Sequence, residues 1–399
     1  MGNMGSIMSA SAGHVTTLDS LHELVSRFEP GDIDVPGGRA RIRLDAGGAG
    51  SADAVIEGGV ARLTEPSSGR VDAILKAEPS VWDEIAGDVR AGMAAYRAGR
   101  LAIRENLHLG VGFLAATSGD TDPKRLRFER VRTANHDLSI LSAGDGIPLI
   151  CIHGLGGTKS SFLPTVSALA PGGFQVIAVD LPGFGDSHKP RSGRYDSAWF
   201  ARAIVELCDE LEIERANLVG NSMGGRVAIE TGLLHPERVD RIVLLSPALA
   251  WLRERQFAWL LRLPLPQLGF LQPTPRWAVE PIVRRLVPGA TDGWAAAGVD
   301  EFLRSYLTPS GRYAFYESAR SIYMDEPHGD DGFWARLAEM APETMFIWGR
   351  HDQLVPISFM RHVEKALPAA RHVKLDCGHV PQVELPGPTH RAMADFLRG

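Results

Sequence analysis

Three residues in the second half of the chain have the types and the order that nucleophilic catalysis requires. Ser222 lies in Gly-Asn-Ser-Met-Gly-Gly, between an apolar stretch and a helical pattern, which is the setting of a G-x-S-x-G nucleophile elbow. Asp352 and His379 follow it, each just past a predicted strand. A serine hydroxyl is a weak nucleophile until a neutral imidazole takes its proton, and a carboxylate must orient that imidazole. The sequence therefore predicts Ser222 as nucleophile, His379 as base and Asp352 as the orienting acid.

Backbone N–H groups for a developing oxyanion are predicted at two places. One is the N–H of Met223, at the start of the helix that follows the nucleophile. The other lies in the glycine-rich turn 153–157 at the end of an apolar strand, where Leu155 is the first choice and Gly156 the next. His153 precedes the nucleophile, against the expected order of Ser, acid and His, so we interpret it as a brace of this turn.

Other polar residues near these motifs are alternatives of lower rank. Asp376 is close to His379 along the chain and would not easily reach its ring, and Asp186 precedes the nucleophile. Three further side chains are interpreted as structural, solvated or simply packed: His351, Glu384 and Cys377.

Strands alternate with helices from about residue 128 onward, which is typical of a mainly parallel sheet. Ligand and catalytic groups collect at the carboxyl ends of such strands, so the three predicted catalytic residues should meet there. Between 249 and about 336 the alternation gives way to a helical, Pro-rich insertion with five of the eight Trp residues. Strands are predicted near 128–133, 137–142, 147–152, 174–180, 216–221, 240–246, 343–348 and 370–375, and helices near 160–169, 196–212, 224–235, 356–366 and 387–397.

Composition excludes several classes of protein. A chain of 399 residues favours two domains. A formal net charge of -6, with both signs spread along the chain, argues against a nucleic-acid partner. Three widely spaced Cys residues favour neither a disulfide framework nor a zinc site. We expect a cytoplasmic protein without a signal peptide or a membrane-spanning helix, and no metal or organic cofactor is indicated. The oligomeric state stays open.

The motifs together resemble the α/β-hydrolase family over about 128–399. The resemblance implies an eight-stranded, mostly parallel sheet with a helical cap at 249–336. Gly-Asn-Ser-Met-Gly-Gly and Trp-Gly-Arg-x-Asp-x-x-x-Pro look like the carbon–carbon hydrolases of meta-cleavage products. Those usually carry Trp directly after the catalytic His, where this chain has Val380, and carboxylesterases share the rest. Haloalkane dehalogenases and epoxide hydrolases use Asp as nucleophile, so Ser222 argues against both. The matching segments are His153-Gly154, 180–187, 220–225, Asp352 and 377–379.

The first unit, about 15–117, resembles the sterol-carrier-protein type of lipid-binding domain. Its stretch 71–104 follows a strand, helix, helix, strand pattern, with a closing apolar helix at 106–116 and an earlier alternating strand at 37–44. The family's Gly-Asp after the last strand is replaced by Glu105-Asn106. The resemblance implies a twisted sheet with helices around an apolar tunnel. Along the earlier strand, Arg39, Arg41 and Arg43 are expected to form an exposed face, with phosphate binding as the alternative.

The predicted fold is thus an α/β-hydrolase sheet with a helical cap, preceded by a smaller α+β sterol-carrier-like domain. The predicted domains are a disordered leader at 1–13, the lipid-binding domain at 14–120 and the hydrolase at 121–399. The start of the leader, Met1-Gly-Asn-Met-Gly-Ser6, matches the N-myristoylation pattern, but we interpret it as a flexible segment.

The sequence predicts an esterase or lipase-like enzyme that cleaves a small apolar ester or lipid through an acyl-enzyme on Ser222. Two alternatives stay open. One is a carbon–carbon hydrolase of the meta-cleavage type, and the other is a lipid-binding or transfer protein with a scaffold hydrolase domain. The apolar run 260–271 of the cap could line a pocket, contact a membrane or simply pack the cap.

Overall fold

The structure, a computed structural model, describes residues 19–88, 90–250 and 275–399. The chain divides into two compact units, Met1–Glu129 and Arg130–Gly399. The predicted leader 1–13 and the apolar run 260–271 lie outside the described residues. Within the described ranges, no helix combines the length and apolarity needed to cross a membrane.

The first unit contains a five-stranded sheet in the order β3-β2-β1-β4-β5. β1 pairs with β4 in parallel, and the other neighbours are antiparallel. The predicted strand, helix, helix, strand order and the closing helix are all present, whereas β2 and β3 were not predicted. The strands are β1 Arg39–Asp45, β2 Ser51–Glu57, β3 Val60–Thr64, β4 Ala73–Ala77 and β5 Leu101–Arg104. The helices are α1, described over 19–26, α2 Pro79–Gly87, α3 Ala91–Arg97 and α4 Leu107–Ala116.

Almost every residue of helix α4 is buried, and apart from His108 the helix is apolar on all sides. It begins at Asn106, whose side-chain oxygen accepts a hydrogen bond from Leu109 N–H at 3.0 Å. A Cβ on Gly110 would lie 2.3 Å from the side chain of Ile103 in β5. The helix therefore packs so closely against the sheet that only glycine fits at this position. The closing apolar helix predicted at 106–116 is therefore confirmed.

The arginine-rich strand β1 does not present the exposed face that the sequence predicted. Arg39 is exposed, but Arg41 and Arg43 reach a fully buried carboxylate, Asp53, on the neighbouring strand β2. Asp53 also accepts a hydrogen bond from Ser67 N–H at 2.8 Å. Arg43 and Asp53 are direct cross-strand partners, so strand register explains the pairing. The guanidinium groups of Arg41 and Arg43 therefore compensate the buried negative charge of Asp53.

The second unit contains an eight-stranded sheet in the order β13-β12-β11-β10-β8-β9-β7-β6. The six strands β8 to β13 are parallel to one another, and β7 pairs antiparallel with β9. All eight strands agree with the prediction to within one or two residues. They are β6 Arg127–Arg132, β7 Asp137–Ala143, β8 Ile147–Ile152, β9 Phe174–Val179, β10 Ala216–Asn221, β11 Val239–Leu245, β12 Glu343–Gly349 and β13 Arg371–Leu375.

The central strand β10 is buried along its whole length, and its neighbours β8 and β11 are buried over their last four residues, which is why those two strands end in continuous apolar runs. Helices pack on this sheet, and the described part of the insertion between β11 and β12 is helical as predicted. The helices are α5 Leu163–Leu169, α6 Ser197–Glu210, α7 Met223–Leu234, α8 Arg276–Leu286, α9 Asp292–Tyr306, α10 Pro309–Tyr323, α11 Phe333–Leu337, α12 Met360–Ala366, α13 Pro381–Glu384 and α14 Pro386–Leu397. Helices α8 to α11 belong to the insertion and are called the cap below.

Candidate active site

Ser222 occupies a strained turn between β10 and α7, with φ 54° and ψ -116°. Its backbone is held on both sides, because Ser222 N–H donates to Leu245 O at 3.0 Å and Ser222 O accepts from Ala248 N–H at 2.8 Å. A Cβ on Gly220 would lie 2.2 Å from Gly224 O, and one on Gly224 would lie 2.0 Å from Ile152 O. Both glycines are therefore required by close approach, and the surrounding strands hold the strained serine in place.

Asp352 and His379 form a buried hydrogen-bonded pair. His379 Nδ1 lies 2.8 Å from Asp352 Oδ2. Asp352 Oδ1 also accepts from Leu354 N–H at 2.8 Å and from Val355 N–H at 2.9 Å. Burial opposes ionisation of Asp352, but the bonds from His379 and the two backbone groups outweigh it, so the pKa of this carboxyl is lowered. An ionised acceptor places the proton of the neutral imidazole on Nδ1 and leaves Nε2 free to take a proton.

One amide side chain ties the serine turn to the histidine loop. Asn221 Nδ2 donates to His379 O at 3.0 Å and to Leu245 O at 2.9 Å. Asn221 is the residue directly before Ser222, so its side chain links the turn of the predicted nucleophile to the backbone of the predicted base. No role for Asn221 was predicted from the sequence, because a polar residue inside this motif carries no separate signal.

Glu384 holds the backbone on both sides of His379. Its Oε2 accepts from Gly378 N–H at 2.9 Å, and its Oε1 accepts from Val380 N–H at 2.9 Å. Oε2 also accepts from Gly289 N–H in the cap at 3.0 Å. The structural interpretation of Glu384 is confirmed. Its hydrogen bonds to the backbone of the histidine loop were not predicted, because nothing in its sequence spacing distinguished it from a solvated acid.

The glycine-rich turn after β8 lies directly against the serine. A Cβ on Gly154 would be 3.1 Å from Ser222 Cβ, and Leu155 is the next residue. Met223 is the first residue of α7, where backbone N–H groups have no acceptor within the helix. The structure thus places the segments of both predicted oxyanion donors beside Ser222.

His153 braces this turn, as the sequence predicted. Its Nε2 accepts from Leu181 N–H at 3.0 Å, so its proton must be on Nδ1, which donates to Gly154 O at 2.8 Å. Burial lowers the pKa of the imidazole, which keeps it neutral. Both ring nitrogens are occupied, and this histidine has no nitrogen left to act as a base.

The alternative acids are engaged elsewhere. Asp376 Oδ1 lies 2.7 Å from Nε2 of the exposed His351. Asp186 accepts two hydrogen bonds from Arg304, at 2.6 and 3.0 Å. Cys377 is buried and free, and burial raises the pKa of its thiol to about 12, which fits a packing role. Among these candidates, Asp352 alone contacts the ring of His379.

Comparison with known proteins places most of the second unit in one family. The family model described as the alpha/beta hydrolase fold matches residues 147–386. The 2-hydroxy-6-oxo-6-phenylhexa-2,4-dienoate hydrolase of Comamonas testosteroni is 31% identical over 278 residues, covering 64% of this chain and 89% of the relative. The 2-hydroxymuconate semialdehyde hydrolase of Pseudomonas sp. strain CF600 is 30% identical over 281 residues, covering 67% of this chain and 90% of the relative.

Solved structures show the same architecture. A meta-cleavage product hydrolase from Pseudomonas fluorescens IP01 aligns with a TM-score of 0.56 and 25% identity, covering 68% of this chain and 97% of the other. A membrane phospholipase A described as a bacterial virulence factor aligns with a TM-score of 0.58 and 25% identity, covering 69% of this chain and 87% of the other. With more than half of its residues matched by the family model, the chain belongs to the α/β-hydrolase fold family.

Proposed function

We propose that this protein hydrolyses a carbon–carbon bond in an acid of the 2-hydroxy-6-oxodienoate type. The observation that carries the proposal is the likeness to curated hydrolases named for such acids, which extends over 89% of the Comamonas testosteroni relative and 98% of one from Paraburkholderia xenovorans. The two share 31% and 28% identity with this chain. Ester hydrolysis, the main expectation from the sequence, takes second place on this ground.

The proposed chemistry requires a ketone whose departing carbon is a stabilised carbanion. Moving the proton of the 2-hydroxyl group to C5 converts the dienol into a 2-oxo-3-enoate, so electrons from the C5–C6 bond can flow back to the 2-oxygen. Ser222 Oγ would attack the C6 carbonyl while His379 Nε2 takes its proton. The N–H groups of Met223 and Leu155 would stabilise the oxyanion.

Collapse of the tetrahedral intermediate completes the proposed cleavage. The C5–C6 bond breaks, the dienolate leaves with the proton held by His379, and an acyl group stays on Ser222. His379 then activates one water molecule, which releases a carboxylic acid and restores the serine. Asp352 keeps the imidazole in the required tautomer and stabilises the imidazolium in both halves of the reaction. The net change is one substrate and one water converted into two acids.

Ester hydrolysis is the second candidate, and a specific observation favours it. Val380 follows His379, where the meta-cleavage hydrolases resembled by this chain usually carry Trp. The alignment with the membrane phospholipase A supports the same reading at fold level. The first step would be identical, but the leaving group would be an alkoxide that takes its proton from His379, with no tautomerisation beforehand.

A direct comparison of substrates tests the proposal. We expect kcat/KM for a 2-hydroxy-6-oxo-dienoic acid to exceed that for p-nitrophenyl esters, from acetate to palmitate, by at least about 100-fold, a difference of about 2.7 kcal/mol. Ser222→Ala should abolish turnover. Ser246→Ala, at a buried serine directly after the neighbouring strand β11, is the matched control and should keep its activity. Faster ester turnover would replace the first candidate by the second.

The first unit is proposed to bind a lipid. Support comes from the strand, helix, helix, strand order of β4, α2, α3 and β5, closed by the buried helix α4, which follows the sterol-carrier resemblance. The domain boundaries predicted at 13 and 120 stay predictions. Saturable displacement of a fluorescent fatty acid or sterol from the full-length Ser222→Ala variant would support this role, and no binding of either probe would contradict it.

A further inference from the structure

Buried charges connect the turn that carries Leu155 with helix α9 of the cap. Three acids and three bases lie together, so their formal charges cancel: Asp180, Asp186 and Glu301 with Lys159, Lys189 and Arg304. Lys159 and Asp180 have no exposed side-chain surface at all. We call this set the ion ring.

On the side of the turn, the ion ring begins two residues after Gly156. Thr158 Oγ1 donates to Glu301 Oε2 in α9 at 3.1 Å. Lys159 N–H donates to Asp180 Oδ1 at 2.7 Å, and its ammonium group donates to Asp180 Oδ2 at 2.6 Å. Both the backbone and the side chain of Lys159 are therefore fixed by one carboxylate, and the segment that leaves the turn has little freedom to move.

On the side of the cap, a guanidinium group completes the ion ring. Arg304 donates two parallel hydrogen bonds to Asp186, at 2.6 and 3.0 Å, and a third to Glu301 Oε2 at 3.0 Å. Asp186 Oδ2 lies 3.6 Å from Lys159 Nζ. A bidentate fork of this kind fixes angle as well as distance, so α9 has one favoured position against the loop that holds Asp186.

A direct contact accompanies the ion ring. A Cβ on Gly156 would lie 2.7 Å from the ring carbons of Phe302, so the aromatic ring rests on the backbone of the turn. Glu301, Phe302 and Arg304 belong to one helical turn of α9. Phe302 contacts Gly156 of the glycine-rich turn, Glu301 binds Thr158, and Arg304 binds Asp186. The backbone that presents Leu155 N–H is thus bounded by the cap helix on one side and by Ser222 on the other.

The charges of the ion ring depend on one another. Burial opposes ionisation of Asp180, but Lys159 outweighs it and lowers the pKa of the carboxyl. Burial would likewise lower the pKa of Arg304, yet Glu301 and Asp186 raise it well above its usual value. Lys189, whose ammonium group donates to Ser187 O at 3.4 Å, adds a further positive charge near both aspartates. Loss of one member leaves an uncompensated buried charge, which the structure can relieve only by moving.

We propose that Arg304 and Asp186 are positioning residues that couple the seating of the cap helix to the placement of Leu155 N–H beside Ser222. The inference rests on the proposed roles of Ser222 as nucleophile and Leu155 as oxyanion donor. The oxyanion exists only in the transition state and the intermediate, so a displaced donor lowers kcat with little change in KM. A cap that merely enclosed substrate would act mainly on KM.

The test measures oxyanion stabilisation apart from the natural substrate. A fluorophosphonate reacts with Ser222 by forming an Oγ–P bond as the P–F bond breaks, fluoride leaves and His379 takes the proton. The rate of this labelling is measured alongside kcat and KM for whichever substrate is turned over faster, the 2-hydroxy-6-oxo-dienoic acid or a p-nitrophenyl ester. Arg304→Met should lower labelling and kcat at least 10-fold with KM within 3-fold. Arg304→Lys should recover part of the loss.

Two further variants distinguish a specific effect on the position of Leu155 N–H from a general destabilisation of the cap. Arg276→Met breaks an ion pair with Asp300 that also lies within the cap, and should stay within 3-fold of wild type. Thr158→Val removes the hydrogen bond from the Thr158 hydroxyl to the Glu301 carboxylate and leaves every charge in place, so it remains informative if Arg304→Met does not fold. It should lower kcat and labelling together by at least 3-fold.

Each outcome decides the matter. Unchanged labelling in Arg304→Met or in Thr158→Val would overturn the inference, and so would an equal loss in Arg276→Met. Wild-type protein that is labelled but does not cleave the dienoic acid would refute only the proposed substrate. Wild-type protein that is not labelled would refute the nucleophile and the inference with it.

Discussion

Replacing Glu384 by Gln keeps the shape of the side chain that holds the histidine loop but reduces the number of hydrogen bonds that it can accept. The carboxylate takes three backbone N–H groups, from Gly378, Val380 and Gly289, at 2.9, 2.9 and 3.0 Å. An amide offers one acceptor oxygen and one NH2 group. In its better orientation it keeps the two bonds at Oε2, while Val380 N–H faces another donor.

The expected loss of stability follows from these three bonds. A hydrogen bond to a charged partner contributes about 1.5–3 kcal/mol, and the two retained bonds each weaken by roughly 0.5–1 kcal/mol when the acceptor becomes neutral. The sum is about 2.5–5 kcal/mol. For a unit as large as Arg130–Gly399, each kcal/mol moves Tm by about 2–4 °C, so the second unit should unfold roughly 10 °C lower.

Activity should fall as well, because His379 lies between two of the three bonded residues. A displacement of about 1 Å at a catalytic group can cost on the order of 100-fold, so we expect a fall in kcat of at least about 10-fold with KM little changed. Thermal unfolding followed by near-ultraviolet circular dichroism, with kcat measured well below Tm, provides both numbers. Glu343→Gln removes the carboxylate of an exposed pair with Arg241 and is the control, with an expected cost under about 1 kcal/mol. Equal Tm shifts in the two variants, or an unchanged kcat in Glu384→Gln, would refute this account of the loop.

Three other predictions follow from the described contacts. Asp352→Asn should lower kcat by about 10³–10⁴-fold at neutral pH, because an amide at this site favours the wrong imidazole tautomer; a loss below 10-fold would remove Asp352 from the proposed site. Gly224→Ala places a Cβ 2.0 Å from Ile152 O and should cost more than about 3 kcal/mol or prevent folding, whereas Gly298→Ala meets nothing within 4 Å and should be tolerated; denaturant unfolding compares them. Asp53→Asn should destabilise the first unit by about 3–5 kcal/mol. Burial opposes ionisation of Asp53, but bonds from Arg43, Ser67 and Arg41 outweigh it, so its folded pKa is below the unfolded value of about 3.9. Its contribution is therefore present above about pH 4 and is lost as the pH falls through the folded pKa, and an equal acid dependence of Tm in Asp53→Asn would contradict this.

The sheet and the serine turn could be predicted because local physics determines them. Strand segments buried on both faces must be apolar, so the last four residues of β8 and of β11 are visible in the sequence as continuous runs. The spacing of Gly220 and Gly224 around Ser222 follows from backbone contacts near 2 Å that exclude any Cβ. These requirements act within a few residues and leave a readable pattern.

Features that depend on partners distant in the sequence could not be predicted. β2 was missed because Asp53 interrupts its apolar pattern, and the arginines that compensate it lie on another strand. The exposed face expected for Arg41 and Arg43 was wrong for the same reason. Arg304 and Asp186 are 118 positions apart, and neither has a neighbour in the sequence that would suggest the pairing. Charges of this kind look solvated until the fold brings them together.

The ion ring also bears on how this protein can be recombined with its relatives. The cap enters the chain at a single site between β11 and β12, so residues 249–336 look like a cassette that could be exchanged whole to alter the substrate range. Arg304, however, belongs to the cassette, while its acid Asp186 lies in the loop after β9. A chimera joined only at the ends of the insertion would bury Asp186 beside a foreign surface. Crossovers that transfer the segment 158–189, which includes Lys159, together with the cap keep the charges balanced, and those chimeras should give the higher yield of active enzyme.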